Sequence, residues 1–194
     1  MQRIFDPGCS PNKYQEQGKA YDFPDITSEL CPKCKSDTLK KHGFYRRYLI
    51  THGFDGEIMI RRYACAHCLK TVSLLPSFCH PKRTYGILAI FEFLSEFYIK
   101  MNAVCIVLRN LSKETGIEFS RQLLLHYRKR IEKNLNSLVM AVTEINALRA
   151  PPVTEKNNVK EKVRQLLSFI HSPMDESLKI FEKTGVTYLT QKAI

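Results

Sequence analysis

The sequence predicts an α+β protein, mainly α, in which a small N-terminal β zinc ribbon is followed by a helical, helix-turn-helix-like region with a long helix. Three observations predict it. Two hooks, Cys31-Pro32-Lys33-Cys34 and Cys65-Ala66-His67-Cys68, bracket a stretch of strand character. From Tyr85 the apolar residues recur at helical intervals. Leu124, Ile131, Leu138 and Ile145 then repeat every seven residues, with Leu135 and Val142 between them, as one face of a long helix does. The resulting division is an irregular arm at 1–27, the zinc ribbon at 28–82, the helical region at 83–150, a linker at 151–158 and C-terminal helices at 159–194.

The arm is polar and interrupted by Asp6-Pro7-Gly8 and Ser10-Pro11-Asn12, with no helical or strand period. Phe23 and Pro24 are its candidates for tucking against the ribbon. The hooks come next. Cys31, Cys34, Cys65 and Cys68 supply four thiols at the spacing that one tetrahedral Zn²⁺ requires, each pair on a tight knuckle with sulfurs about 2.3 Å from the ion. Four thiolates close the coordination sphere, so the single ion is expected to staple the fold and not to catalyse. An open site would need His67 or His80 in place of a cysteine. Cys9, Cys79 and Cys105 are left over and are expected to be reduced, ordinary residues.

Between the hooks, Phe44, Arg46, Tyr48 and Ile50 alternate with Tyr45, Arg47 and Leu49, and Glu57 to Ala64 continues the pattern. Gly53-Phe54-Asp55-Gly56 is the expected turn. Arg46, Arg47, Arg61 and Arg62 would then stand on one small sheet among Tyr45, Tyr48 and Tyr63. That arrangement suits phosphate contact; the alternative is that the Arg stems cover an exposed sheet face. A third strand, Lys70 to Leu74, closes the ribbon before Pro76.

The helical region opens with an apolar core helix over Tyr85 to Ile99. Asn102 is the expected N-cap of a helix from Ala103 to about Thr115, which Gly116 ends, and Ser120 caps the long helix. A helix, a Gly-containing turn and a second helix form the outline of a helix-turn-helix. In that outline Arg121, Gln122, His126 and Lys129 would reach DNA, with Lys133 on the same side. The heptad seam, extending to about Leu148, fits either a homodimer through the long helix or packing within one chain, with Arg128 and Arg149 at its edges. Pro151-Pro152 should end the helix. Asn158 with Glu161 resembles a capping box, and Ser172-Pro173 opens a last helix that Gly185 closes.

Charge bears on the partner. The formal net charge is +11, and a Zn²⁺ held by four thiolates lowers it to about +9. Residues 31–82 carry +7 of it and residues 83–150 carry +4, whereas residues 1–30 sum to −2. A basic surface on a rigid scaffold is the footprint of a polyanion, most often nucleic acid. No apolar run is long enough to span a bilayer and no secretory leader is visible, so a cytoplasmic protein without membrane association is expected.

The ribbon resembles those of bacterial insertion-sequence transposases and related uncharacterised bacterial zinc-ribbon proteins. The residues that carry the likeness are Cys31-Pro32-x-Cys34, His42-Gly43-x-Tyr45-x-Arg47, Arg62-Tyr63-x-Cys65-x-x-Cys68-x-x-Thr71-x-Ser73 and Leu75-Pro76. The resemblance implies recognition of element ends by this segment and cutting by a separate catalytic domain. Such a domain needs three carboxylates on an RNase H-like fold, and the acids after Ala150, namely Glu155, Glu161, Asp175, Glu176 and Glu182, lie in too short a stretch to build it.

The expected function is therefore duplex DNA binding, as an element-end binder or transcriptional regulator. Two alternatives stand beside it: a zinc-stapled adaptor for a transposase or polymerase partner, and a binder of RNA or single strands. No acid, base and nucleophile constellation is visible around Cys79, His80 or Cys105, so no enzyme activity is expected and no catalytic residue is assigned.

Overall fold

The computed structural model describes residues 1–145, 151, 153, 158–185 and 187–189. The end of the predicted seam to Leu148, Arg149, Pro152 and linker residues 154–157 lie outside the described residues. The chain divides into two units, residues 1–50 with 54–84, and residues 51–53 with 85–194.

The first unit departs from the predicted fold class. Instead of a small ribbon after an irregular arm, it holds a four-stranded mixed sheet in the order β1-β4-β3-β2. Its strands are β1 (Gln2–Phe5), β2 (Leu39–Thr51), β3 (Phe54–Cys65) and β4 (Thr71–Pro76). β1 pairs in parallel with β4, with Gln2 opposite Ser73 and Phe5 opposite Pro76, while β3 pairs antiparallel with β4. The arm is therefore part of the sheet. Ser10 and Pro11, which read as breakers, instead start helix α1 (Pro11–Gln17): the Ser10 hydroxyl accepts from Lys13 N and Pro11 sits in the first turn. α1 delivers Tyr14, fully buried, into a cluster with Phe5, Tyr21, Phe23 and Phe78, and the Tyr14 hydroxyl donates to the Met59 carbonyl at 2.9 Å. Burial of that ring is worth about 2 kcal/mol, enough to hold a seven-residue helix that would not form alone.

Strands β2 and β3 also run longer than predicted and meet at His52-Gly53, where Gly53 takes φ +63°. Phe54 to Gly56 belong to β3, because Phe54 is buried. The buried side of β3 switches parity along the strand: Ile58 and Ile60 point inward before Arg61-Arg62, and Tyr63 and Cys65 after it. Gly43 in β2 sits at φ +121°, an angle that L side chains rarely adopt, which accounts for a glycine in mid-strand.

Among its described residues the second unit packs five helices: α2 (Ile87–Tyr98), α3 (Val104–Thr115), α4 (Arg121–Ile145), α5 (Val159–Phe169) and α6 (Pro173–Thr184). α2, buried at Ile87, Ile90, Phe93, Leu94 and Tyr98, touches each of the other four. α3 and α4 are thus packed with α2, α5 and α6, a second departure from the predicted helix-turn-helix-like region standing apart with one long helix. The α2–α3 connection also differs. Asn102 does not cap α3; its side chain donates to the Glu96 carboxylate at 2.9 Å, as Asn110 does at 3.2 Å, and Ala103 occupies the cap. Glu96 is almost fully buried and also pairs with Lys100. Gly116 ends α3 at φ +68°, and the Ser120 hydroxyl accepts from Leu123 N at the start of α4.

The heptad seam is used inside the chain. Leu124, Ile131, Leu135, Leu138 and Val142 are all buried in a unit where α5 and α6 pack on α4. These positions of the predicted homodimer seam are therefore occupied. The helices α5 and α6, whose partner the sequence does not fix, bury Val163, Leu166, Leu167 and Ile180. The Asn158 side chain caps α5 by accepting from Glu161 N. No described helix is long and apolar enough to cross a membrane.

Candidate metal centre and basic helix face

The four hook cysteines converge. Their sulfurs all lie within 4.8 Å of one another, with Cys31 Sγ 3.7 Å from Cys68 Sγ and Cys34 Sγ 3.6 Å from Cys65 Sγ. Four sulfurs at the vertices of a tetrahedron with metal–sulfur bonds of about 2.3 Å stand about 3.8 Å apart. All four are free thiols, so the cluster could hold a metal ion.

The same backbone device builds both knuckles. Cys31 N donates to the Ser36 carbonyl and Lys35 N to the Cys31 carbonyl; Cys65 N donates to the Lys70 carbonyl and Leu69 N to the Cys65 carbonyl. Each chain segment is thereby turned back so that both of its sulfurs face one point. Thr38 joins the two, since its carbonyl accepts from Ala66 N and its hydroxyl from His67 N. Behind the sulfurs, Ile26, Leu39, Tyr63, Val72 and Leu74 pack with Cys31 and Cys65 in one buried cluster.

Polar groups around two of the sulfurs, those of Cys34 and Cys65, favour thiolate. Cys68 goes the other way: the Lys70 N–H lowers it, but burial and the neighbouring sulfurs outweigh that bond and push it up to about 11. Cys65 Sγ has Cys68 N at 3.5 Å, Ser36 Oγ at 3.3 Å and Thr38 Oγ1 at 3.4 Å. The Cys68 N–H first, then the two hydroxyls, hold the Cys65 thiol down to about 5. Ser36 likewise lowers Cys34 to about 7. The sequence reading missed Ser36 and Thr38; hydroxyl residues within a few positions of a metal hook are the signal for them. Neither histidine considered as a substitute ligand joins the cluster. His80 is fully buried with Nδ1 2.9 Å from the Pro81 carbonyl, and burial pushes its pKa down to about 3. Of the leftover cysteines, Cys79 is buried, Cys9 is half-buried and Cys105 is exposed.

The sheet arginines have distinct fates. Arg46 is exposed, 3.4 Å from Glu57. Arg47 donates through Nη2 to the carbonyls of His80, at 2.6 Å, and Arg83, so its guanidinium is spent on the fold. Arg61 lies over the rings of Phe44 and Tyr63, and Arg62 over Tyr45. Three of the four are thus held against aromatic rings or main-chain carbonyls.

Helix α4 presents the contrasting case. Gln122, His126, Lys129 and Lys133 are exposed. At 3.6 residues per turn they fall within about 60° of one another around the axis, opposite the buried Leu124, Ile131 and Leu138. Arg121 and Arg130 flank them and are exposed too. Glu132, in the same stretch, is turned away: it accepts from the Tyr98 hydroxyl at 2.7 Å and pairs with Arg128. The result is a ridge about 16 Å long that carries cations and one amide, with no carboxylate of α4 among them. Arg130 escaped the sequence reading, although its spacing of four from His126 places it on the same side.

Comparison with known proteins finds a family model that matches part of the chain. No curated protein and no solved structure matches the chain. The family described as a domain of unknown function (DUF6431) matches residues 31–104, from the first hook through α2 to the start of α3.

Proposed function

We propose that this protein binds duplex DNA through α4 and that its cysteine cluster holds one structural Zn²⁺. The observation that carries the first part is the ridge of Gln122, His126, Lys129 and Lys133, flanked by Arg121 and Arg130 and backed by a fully buried apolar face. A helix held rigidly by its far side and basic on its near side fits a major groove about 12 Å wide. Arg121 and Gln122 at its start are side chains that pair with guanine and adenine edges, and the later lysines suit phosphates. The likeness of the cysteine-bearing segment to transposase ribbons supports a role at element ends or as a regulator.

Zinc is the ion chosen because four thiolates at tetrahedral separations suit it, and because a closed sphere leaves no position for substrate. Its role there is to fix the two knuckles to each other. The sheet arginines contribute less to this reading than Arg121 and Gln122 do; Arg46 is the most available of them.

The test is a titration of zinc-loaded protein against labelled duplex DNA, single-stranded DNA and RNA at several salt concentrations, repeated with Arg121→Ala and Gln122→Ala combined. Duplex should bind most tightly, and the double change should weaken it. A preference for single strands would move the reading to RNA or unpaired DNA. Equal, weak binding to all three that ignores the substitutions would sink it and direct the search to a protein partner.

A further inference from the structure

The ridge on α4 is not flat. A recess of about 250 Å³ opens in it, lined among the described residues by His126, Lys129, Arg130 and Lys133. That is more than ten times the roughly 15 Å³ that a single water needs. No ion pair to a described carboxylate engages Lys129, Arg130 or Lys133, whereas Arg128, one residue away on the flank, is paired with Glu132. Three cations gathered round one hollow repel one another, and an anion among them removes that cost.

From this we infer that the recess is a seat for a phosphate group. The inference rests on the DNA-binding reading for the source of that phosphate, a phosphodiester of the duplex backbone. It divides the helix into two parts. Gln122 lies seven to eleven residues before Lys129 and Lys133, or about 10 to 16 Å along the axis. Arg121 and Gln122 thus address base edges while the recess grips the strand one to three turns further on, fixing the register of the helix in the groove. An Arg fork at the rim with two Lys point charges beside it is the combination that holds a phosphate without demanding one orientation of its neighbours.

Two measurements test this. In the first, inorganic phosphate is titrated into the full-length, metal-loaded protein and backbone amide shifts are followed by NMR. Saturable shifts should centre on residues 126–133 and vanish in a Lys129→Ala, Arg130→Ala, Lys133→Ala variant. Shifts that are absent there, or that survive in the variant, overturn the seat. In the second, duplexes of unrelated sequence are bound by the same variant. Affinity should fall at least tenfold by a similar factor for each, and the slope of log affinity against log salt should become shallower by about one or more. A loss confined to one sequence overturns the division of roles. Phosphate bound in the recess of a protein that ignores duplex DNA would instead leave the seat standing for a small phosphorylated ligand and remove the DNA reading.

Discussion

Lys35 and Leu69 occupy the same place in the two knuckles, each one residue after the second cysteine and each left-handed, at φ +61° and +57°. A side chain at that angle costs about 1 kcal/mol or more, and neither residue is glycine. Leu69 is 81% exposed and so has little packing to lose. Leu69→Gly should therefore stabilise the metal-loaded protein by about 0.5 to 1 kcal/mol and raise its melting temperature. A lower melting temperature would show that the Leu69 side chain contributes more than its exposure suggests.

Removing the hydroxyls of Ser36 and Thr38 should loosen the metal without unfolding the knuckles. Partners that donate to a ligand atom typically set affinity by 10- to 100-fold. The Ser36→Ala, Thr38→Val double variant should bind Zn²⁺ about tenfold more weakly in competition with a chromophoric chelator. Unchanged affinity would make the two hydroxyls bystanders.

Chelation should be more drastic than either change. Cys31 and Cys65 belong to the buried cluster of Ile26, Leu39, Tyr63, Val72 and Leu74. Without the ion the sulfurs take back protons, and the two knuckles lose the link that fixes them next to that core. Cys65→Ser, or excess chelator on the native chain, should lower the melting temperature of residues 1–84 by more than 10 °C, seen as loss of amide dispersion there. A chain that melts identically with and without metal would refute a structural ion.

Arg47 and Arg46 separate fold from function on one strand. Arg47→Ala strands two carbonyls and should cost about 2 to 3 kcal/mol in urea unfolding, leaving the salt slope of DNA binding unchanged. Arg46→Ala, at an exposed pair, should stay within about 0.5 kcal/mol. Equal costs would contradict the different roles seen for the two guanidinium groups.

The buried Glu96 carboxylate sets an acid limit. Burial alone would raise its pKa, but bonds from Lys100, Asn110 and Asn102 outweigh that and hold it below the ordinary carboxylate range. A lowered carboxylate adds stability in full above its unfolded value, about 4.3, and loses it as pH falls through the folded value. Glu96→Gln should cost about 2 kcal/mol at pH 7, with a gap to wild type that narrows by pH 3. A gap that stays constant with pH would mean that Glu96 is not ionised in the native protein.

Much of this was legible because it is local. Four cysteines in two hooks foretell a shared point whatever lies between them, and Ser120, Gly116 and Asn158 act where their residue types favour caps and stops. The parallel pairing of Gln2 with Ser73 was not legible, since four residues joining a strand some seventy positions later leave no periodicity behind. Ser10-Pro11 could be read as a break or as a helix start, and only the burial of Tyr14 decides between them. The fate of Arg47 was hidden for the same reason, because its partners are main-chain carbonyls of His80 and Arg83 and carry no side-chain signature. Cys105 lies in an apolar run, yet α3 turns that position to solvent.

The hydrogen bond from Tyr98 to Glu132 reaches further than its two atoms. By drawing the carboxylate toward α2, that hydroxyl leaves Glu132 part-buried and paired with Arg128 while the neighbouring cations stay exposed, so a bond made in the interior shapes the potential along α4. Core packing and surface potential, usually treated as separate properties of a protein, meet in this chain at one phenol.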